Sequence, residues 1–254
     1  MEELYVLPYG QMSLWGFFDC PTWSQASIEC MSLIPFIAPK VRAVKRIGPH
    51  NIDILSVLIG SLLGDSSAEQ HGDGTRFCFQ QEGSHSAYLV WFHTRVAGLG
   101  YCTPNIPNTL TRLGVNGKIR QVLRFKTFTY TSFNWVLEAF YIQRDKRRVK
   151  IVPALVEHYL TPLALAVWIM DDGGATQYGL KIASNSFTLR DTQLLCDILN
   201  RKYNLEAKPH SAGYTDQYVV YIPSRCMPTL ANIVGPHMHP SMYYKLGRHL
   251  PVQN

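Results

Sequence analysis

Two apolar stretches of this chain each end on an acidic residue whose position suggests chemistry. Residues 58–66 read LIGSLLGDS and residues 165–173 read LAVWIMDDG, so that Asp65 and Asp172 close the two stretches. The carboxyl end of a helix already carries about half a negative charge, so an acid there is disfavoured unless positive charge compensates it. If the two helices pack side by side, their acidic ends converge, and divalent cations are the obvious compensation. The pattern therefore predicts a metal-dependent active site.

The two stretches resemble the LAGLIDADG motif of homing endonucleases. A single apolar helix that ends on Asp is common, and a core helix pair without chemistry is the alternative interpretation. Here the motif occurs twice, 107 residues apart (172 − 65), which allows one small domain for each copy. The resemblance implies an α+β fold, mixed α/β, of two pseudo-symmetric halves of αββαββα type. It implies antiparallel DNA-binding sheets and places the motif helices at the interface.

Small residues in the motifs predict a close contact between the two helices. Gly60 and Gly64 lie four residues apart on one helical face, where the missing side chains let two backbones approach. Helical Gly costs about 1 kcal/mol relative to Ala, so close packing must offset that cost. The second copy has Ala164 but also the bulky Trp168, so the two helices are not equivalent.

The motifs and the charge pattern divide the chain into four segments. Residues 51–144 are expected to form the N-terminal LAGLIDADG half, and residues 153–254 the C-terminal half. Residues 145–152 begin with Asp-Lys-Arg-Arg and are expected to form a charged linker that also contacts phosphates. Residues 1–50 are interpreted as an exon-derived leader followed by a basic linker.

The leader contains its own clue to the origin of the gene. Residues 4–16, LYVLPYGQMSLWG, look like a segment of mitochondrial apocytochrome b. An intron reading frame fused in phase to its upstream exon would give this pattern. We therefore expect the interrupted gene to be apocytochrome b and the compartment to be the mitochondrion. We also expect residues before about Asn51 to be dispensable for the core fold.

Composition narrows the classes of partner. Lys and Arg number 24 against 18 Asp and Glu, and this basic balance is compatible with a polyanionic partner. The six cysteines include no CxxC pair, so neither a zinc site nor a disulfide framework is indicated. No stretch reaches the roughly 18 apolar residues of a membrane span, so no membrane partner is expected.

Hydrophobic periodicity predicts strands that alternate with helices after each motif. In the first half we expect strands over 76–81 and 118–128 and helices over 86–98 and 131–143. In the second half we expect strands over 180–184 and 217–222, and a helix over 189–203 that begins at the N-cap Thr188.

The strand over 118–128 has a basic face. Alternate positions carry Lys118, Arg120, Arg124 and Lys126, whereas the other positions are mostly apolar. A sheet with such a face can read DNA from the major groove, although an ordinary solvated face is the alternative. The residues expected to contact double-stranded DNA are Arg76, Gln80, Lys118, Arg120, Arg124, Lys126, Gln177, Tyr178, Lys181, Gln217 and Tyr218.

The family resemblance also implies roles for individual residues. Asp65 and Asp172 match the catalytic acids, which bind Mg²⁺ together with scissile phosphate oxygens and water. Gly64 and Asp171 join the expected metal set, and Asp171 is expected to act through its backbone carbonyl or as a local cap. Gln80 matches a polar position that orders water near the metal.

The second-half counterpart of this polar position is either Ser184 or Asn185. The family also places a basic residue near the scissile phosphate in each half, and Lys245 in the sequence MYYKL matches it. In the first half the matching position is Thr129, which is a departure from the pattern. Lys126, which lies nearby on the same strand, is taken in its place.

Three functions are compatible with these features. The first is a monomeric, site-specific endonuclease that cuts both strands of the intronless allele, with Asp65, Asp172, Lys245, Lys126 and Gln80 as catalytic residues. The second is an RNA maturase that assists the splicing of its own intron, which would make intron RNA a partner. The third is a cleavage-inactive DNA-binding protein, which would normally lack one or both acids.

Overall fold

The structure is a computed structural model and describes residues 41–46, 48–114, 117 and 119–249. Among these residues the α-helices are α1 (Ile52–Leu63), α2 (Ser86–Gly98), α3 (Asn134–Phe140), α4 (Val156–Tyr159), α5 (Pro162–Asp172), α6 (Leu189–Tyr203) and α7 (Met227–Val234). The strands are β1 (Ser67–His71), β2 (Gly74–Glu82), β3 (Thr109–Leu113), β4 (Ile119–Lys126), β5 (Tyr141–Arg144), β6 (Arg147–Lys150), β7 (Gly173–Thr176), β8 (Gly179–Ala183), β9 (Lys208–Ser211) and β10 (Tyr218–Pro223).

The two halves share one plan. The first half has a four-stranded antiparallel sheet in the order β1-β2-β4-β3, and the second half has one in the order β7-β8-β10-β9. One face of each sheet is buried by helices; in the first half Phe79 of β2 meets Phe92 of α2 at a ring-centroid distance of 4.9 Å. This architecture confirms the predicted α+β fold of two pseudo-symmetric halves.

The motif helices α1 and α5 pack against each other at the centre of the molecule. A side chain at Gly60 would overlap the backbone carbonyl of Ala164, and a Cβ at Gly64 would lie 2.6 Å from the Cβ of Asp171. Both contacts advance along the two helices in the same direction, so the helices are parallel and their carboxyl ends lie together. Close packing of this kind offsets the conformational cost of helical glycine, as the sequence predicts.

Several elements begin and end close to their predicted positions. The helices α2 and α6 have the predicted bounds, and α6 begins with a capping box in which Thr188 and Asp191 bond each other's backbone N–H groups. The predicted strands correspond to β2, β4, β8 and β10. Lys118 lies outside the described residues.

The helix predicted over 131–143 is wrong in its second part. A 3₁₀ turn over Thr131–Phe133 leads into α3, which ends at Phe140, and the chain continues as the strand β5. Strand β5 pairs with β6 in an antiparallel hairpin, so the predicted linker over 145–152 is largely ordered structure. The turn residues Asp145 and Lys146 both have positive φ, as a two-residue hairpin turn requires.

Arg46 and His50 contact the core, although the chain before about Asn51 is expected to be dispensable for the core fold. Arg46 is only 4% exposed, donates from Nη1 to the Thr129 carbonyl at 3.0 Å, and lies over the Phe128 ring. His50 stacks on Phe133 at a centroid distance of 3.9 Å. Residues 1–40, including the segment 4–16 that looks like apocytochrome b, lie outside the described residues.

The described part of the chain contains no helix that is long and apolar enough to cross a membrane.

Candidate active site

The two acidic residues that the sequence singles out lie at the neighbouring ends of the motif helices. Asp172 is the last residue of α5, and Asp65 follows Gly64, which caps the end of α1. Burial, and after it the negative charge of Asp65, together raise the pKa of the Asp172 carboxyl to about 7. The two carboxylates are therefore close enough to repel each other, as the sequence predicts.

A glutamine from the first sheet joins acids from both halves. Gln81 donates from Nε2 to Asp65 Oδ2 at 2.7 Å and to Asp171 Oδ1 at 3.3 Å. The hydroxyl of Tyr88 donates to the same Asp171 oxygen at 2.9 Å. Burial and the charge of Asp65 hold the pKa of Asp171 well above its usual value. Asp171 thus contacts the other half through its side chain, which the sequence does not predict.

The position near the acids that was predicted for Gln80 is occupied by the next residue of the strand. Side chains alternate between the two faces of a strand, so Gln80 and its neighbour point in opposite directions. Gln81 is buried and faces the acids, whereas Gln80 is exposed on the outer face opposite Arg124 of β4. The residue that contacts the acids is therefore Gln81, and Gln80 lies among the basic side chains of the sheet.

Neither second-half candidate for this polar role contacts the acids. Ser184 is buried and donates to the Tyr218 carbonyl at 2.9 Å. Asn185 donates from Nδ2 to Gln217 Oε1 at 2.9 Å on the exposed surface. The surroundings of the two catalytic candidates therefore differ, because the first half supplies a glutamine and these second-half residues bond elsewhere.

A lysine caps the carboxyl end of each motif helix. Lys245 is 5% exposed and donates from Nζ to the carbonyls of Met170 at 2.5 Å and Asp171 at 2.8 Å. Lys150 donates to the carbonyls that surround the end of α1, namely those of Leu62 at 2.9 Å, Ser66 at 2.8 Å and Gly64 at 3.4 Å. Burial lowers the pKa of both lysines, and the nearby acids oppose that shift. Both lysines thus place positive charge where the helix ends are negative.

Lys150 rather than Lys126 is the first-half equivalent of Lys245. Lys126 forms an ion pair with Glu69 at 2.6 Å on the outer face of the sheet, and the Thr129 hydroxyl bonds His71. The sequence prediction missed Lys150 because it assigned residues 145–152 to a linker. The signal that was available is a lone lysine between Val149 and Ile151, which is unusual in a solvated linker.

The two acids are suited to an oxygen-liganded cation. The ammonium groups of Lys150 and Lys245 bond backbone carbonyls, so neither forms an ion pair with Asp65 or Asp172. Mg²⁺ is commonly held by one or two carboxylates together with substrate phosphates and water. Among the described residues, no three His, Cys, Asp or Glu side chains form a metal-binding group. Two carboxylates that repel each other and lack a cationic side-chain partner fit such an ion.

The backbone groups that the sequence assigns to the metal already have partners. The carbonyl of Asp171 accepts from Lys245, and the carbonyl of Gly64 accepts more weakly from Lys150. Each carbonyl oxygen has a second lone pair, so one lysine does not exhaust its capacity.

The outer face of the first sheet carries the predicted basic residues together with two acids that the prediction left out. Glu69 binds Arg76 and Lys126, each at 2.6 Å, and Glu82 pairs with Arg120. These ion pairs hold the long basic side chains in defined positions on the sheet. The predicted set Arg76, Gln80, Arg120, Arg124 and Lys126 therefore shares one face.

The outer face of the second sheet lacks one of the predicted residues and carries two that were not predicted. Lys181 is exposed opposite Tyr221, and Gln177 and Tyr178 lie in the exposed turn between β7 and β8. Tyr218 is on the opposite side of β10 from Tyr221, because the two residues are an odd number apart. The prediction also missed His210 and Lys208, which lie opposite Val219 and Tyr221 on the same outer face.

A comparison with models of protein families identifies one domain in this chain. The matching model is described as the LAGLIDADG DNA endonuclease family and covers residues 55–230. The match includes both motif stretches (58–66 and 165–173), both sheets and Lys150, and it ends before Lys245.

Curated relatives and a solved structure agree with the family model. Two relatives, each named cytochrome b mRNA maturase bI2, are 46% identical over 80% of this chain; they come from Saccharomyces cerevisiae and Debaryomyces hansenii. The chain spans 49% of the first relative and 76% of the second. The structure of "the homing endonuclease I-WcaI bound to its DNA recognition sequence" matches 83% of this chain and 94% of that one, with 24% identity and a TM-score of 0.70. That likeness shows a shared fold.

Proposed function

Since this chain belongs to the LAGLIDADG DNA endonuclease family, we propose that it is a site-specific endonuclease that hydrolyses both strands of a DNA duplex with a divalent metal. The observation that carries the proposal is the pair Asp65 and Asp172 at adjacent helix ends. Burial and the charge of Asp65 raise the pKa of Asp172 to about 7, while the nearby lysines bond backbone carbonyls. Two helix ends with one acid each suit two cuts, one in each strand.

Mg²⁺ is the proposed metal, with Asp65 and Asp172 as its principal protein ligands and the carbonyls of Gly64 and Asp171 nearby. When bound, the ion would supply Lewis-acid stabilisation of the charge that develops on the scissile phosphate. Gln81 would keep the Asp65 carboxylate in a fixed orientation through its 2.7 Å hydrogen bond. Lys150 and Lys245 would offset the negative helix ends, so that a phosphate can approach with less repulsion.

The duplex is proposed to lie across the outer faces of both sheets. The basic and polar side chains on these faces supply phosphate contacts, which set position, and base contacts, which set specificity. The two halves of one chain would supply both sheets, so we propose that the protein acts as a monomer. Sedimentation at the concentrations that support cleavage tests this point, and a dimer would contradict it.

The proposed target is the intronless apocytochrome b gene in the mitochondrion. Residues 4–16 support this target because they look like an exon segment of that protein. The names of the two relatives that are 46% identical also refer to cytochrome b.

A second candidate function is the maturase activity that those same two relatives are named for. In this case the chain would bind its own intron RNA and assist splicing, with or without DNA cleavage. A cleavage-inactive DNA-binding protein is less well supported, since both motif acids are present.

The first experiment incubates the purified chain with a plasmid that carries the intronless apocytochrome b exon junction. We expect linearisation at the junction with Mg²⁺ and none when a chelator is in excess. A folded chain that binds the junction duplex but never cuts it would contradict the endonuclease proposal.

The maturase candidate requires a separate measurement. The wild-type chain is added to the unspliced intron RNA, and the splicing rate is compared with the rate for RNA alone. Faster splicing supports the maturase function, whereas unchanged splicing together with no binding of the RNA contradicts it.

A further inference from the structure

The hairpin of β5 and β6, which we name the basic hairpin (residues 141–150), projects a concentrated positive charge. Four basic side chains are exposed at and beside its turn, and they are Arg144, Lys146, Arg147 and Arg148. None of the four forms a salt bridge within the part of the chain that the structure describes. Asp145 is the one acidic residue of the hairpin.

The local geometry of the basic hairpin is unfavourable in the free protein. Arg144 and Arg147 are register partners on the two strands, and like charges directly opposite each other destabilise a β-ribbon. Lys146 adopts φ of 61°, a left-handed conformation that disfavours side chains other than Gly, Asn and Asp. A polyanion bound at the turn would relieve the charge repulsion.

The basic hairpin is fixed against the edge of the first sheet. Arg148 donates from Nη2 to Gln70 Oε1 at 3.0 Å, and the Tyr141 hydroxyl accepts from the Ala68 N–H at 3.0 Å. Gln70 and Ala68 both belong to β1, the edge strand whose Glu69 holds two basic residues of the outer face. Because side chains alternate along a strand, Gln70 lies on the face of β1 opposite Glu69, so the hairpin is anchored to the edge of the sheet from its helix-covered side.

The base of the basic hairpin reaches the candidate active site. Lys150 is the register partner of Tyr141 and donates to the carbonyls at the end of α1. A ligand seated along the hairpin would thus lie beside the helix end that is followed by Asp65.

We propose that the basic hairpin binds the phosphate backbone of duplex DNA beside the first sheet, with Arg144 and Arg147 as its principal contacts. The proposal rests on the proposed function, because it takes duplex DNA to lie on the outer faces of the sheets. A duplex is favoured over RNA because the hairpin is anchored to β1 and ends at the active site. Contacts of this type add affinity without adding base specificity.

The test measures binding of the exon-junction duplex by the full chain at several salt concentrations. R144Q and R147Q each remove one charge, and R190Q removes one exposed charge on α6 in the other half as a matched control. The slope of log K against log salt should fall by about 0.9 for each lost phosphate contact. We expect this decrease for R144Q and for R147Q, on cleavable and scrambled duplexes alike, and an unchanged slope for R190Q.

Equal slopes of log K against log salt for R144Q, R147Q and R190Q would overturn the proposal. A decrease confined to intron RNA would overturn it as well, since the hairpin would then belong to an RNA surface. Cleavage by the wild-type chain with equal slopes would remove only the hairpin proposal, whereas no binding of duplex by the wild-type chain would remove the proposed function too. Thermal unfolding of each variant shows whether it is folded, and the Tm of R144Q and of R147Q should equal or exceed that of the wild type.

Discussion

Lys150 and Lys245 are equivalent in space although 95 residues separate them (245 − 150), because each donates its ammonium protons to the carbonyls at the end of one motif helix. The equivalence extends the two-fold plan of the fold from the sheets to the active site. Under the proposed function it would also give each cut its own cation close to the acids. The two lysines are therefore expected to act on different strands of the duplex.

Replacement of either lysine by Met should reduce stability and slow cleavage. The variant leaves two or three backbone carbonyls without their charged donor, which costs about 1.5–3 kcal/mol of unfolding free energy. Denaturant titration measures this loss. Nicked plasmid should accumulate in both variants. The strand that is cut in K150M should be the strand that stays intact in K245M.

K126M is the matched control for this pair. The ion pair that Lys126 forms with Glu69 is partly exposed, so its loss should change the unfolding free energy by less than about 1 kcal/mol. K126M should weaken DNA binding and leave the order of strand cutting unchanged. Equal strand cutting in K150M and K245M would contradict the assignment of one lysine to each site.

Gln81 and Gln80 are adjacent residues for which we predict different defects. Q81L removes the donor that orients Asp65 and Asp171, so the cleavage rate at saturating protein should fall roughly 10- to 100-fold. Q80L should weaken binding and leave the rate at saturation close to that of the wild type. Single-turnover kinetics separate the two effects, and a rate defect in Q80L alone would reverse the assignment.

The active site shows which features can be predicted from sequence. The acids were predictable because a repeated motif fixes Asp65 and Asp172 at helix ends without knowledge of the sheet. Gln81 was not predictable in this way, because a change of one residue along a strand moves the side chain to the other face. Lys150 was missed for a different reason: only the folded hairpin brings it to the end of α1.

The same contrast holds for the secondary structure. The helix α6 has the predicted bounds because Thr188 and Asp191 form a capping box that is visible in the sequence. The prediction extended α3 too far, because nothing at Phe140 stops a helix and the hairpin partner β6 decides the conformation of Tyr141 onward. Short edge strands such as β7 carry glycines and little hydrophobic alternation, so periodicity does not reveal them.

The stability of the protein should depend on the protonation of His50. Both ring nitrogens are engaged, one with the Tyr101 hydroxyl and one with Ser132, and burial lowers the pKa of His50 to about 4. The unfolded chain therefore binds a proton at higher pH than the folded chain does. The stabilisation is complete above about pH 6.5 and is lost as the pH falls toward 4.

The variant H50F tests this dependence. Phe keeps the ring against Phe133 and removes the titrating group, so the unfolding free energy should fall less between pH 6.5 and pH 4 than in the wild type. At pH 8 the variant should be less stable, because the hydrogen bonds of His50 with the Tyr101 and Ser132 hydroxyls are lost. An identical pH profile in both proteins would show that His50 does not titrate in this range.

Two N-terminal truncations should differ in their effect on stability, depending on whether they remove Arg46 and His50. Removal of residues 1–50 deletes the buried Arg46 and the stacked His50, and we expect a large loss of unfolding free energy. Removal of residues 1–40 keeps both contacts and serves as the control. Equal stability of the two truncated chains, measured by denaturant titration, would contradict a structural role for Arg46 and His50.

If Asp65 and Asp172 form one metal-dependent catalytic centre, the loss of either carboxylate should greatly slow cleavage, which is measured with the variants D65N and D172N. D53N is the control, since Asp53 is an exposed residue at the opposite end of α1. With Mg²⁺ and the exon-junction plasmid, D65N and D172N should bind the duplex but cleave it about 10²- to 10³-fold more slowly, a loss typical of removing one preorganised catalytic group, while D53N should cut normally. Full activity in either D65N or D172N would contradict the claim.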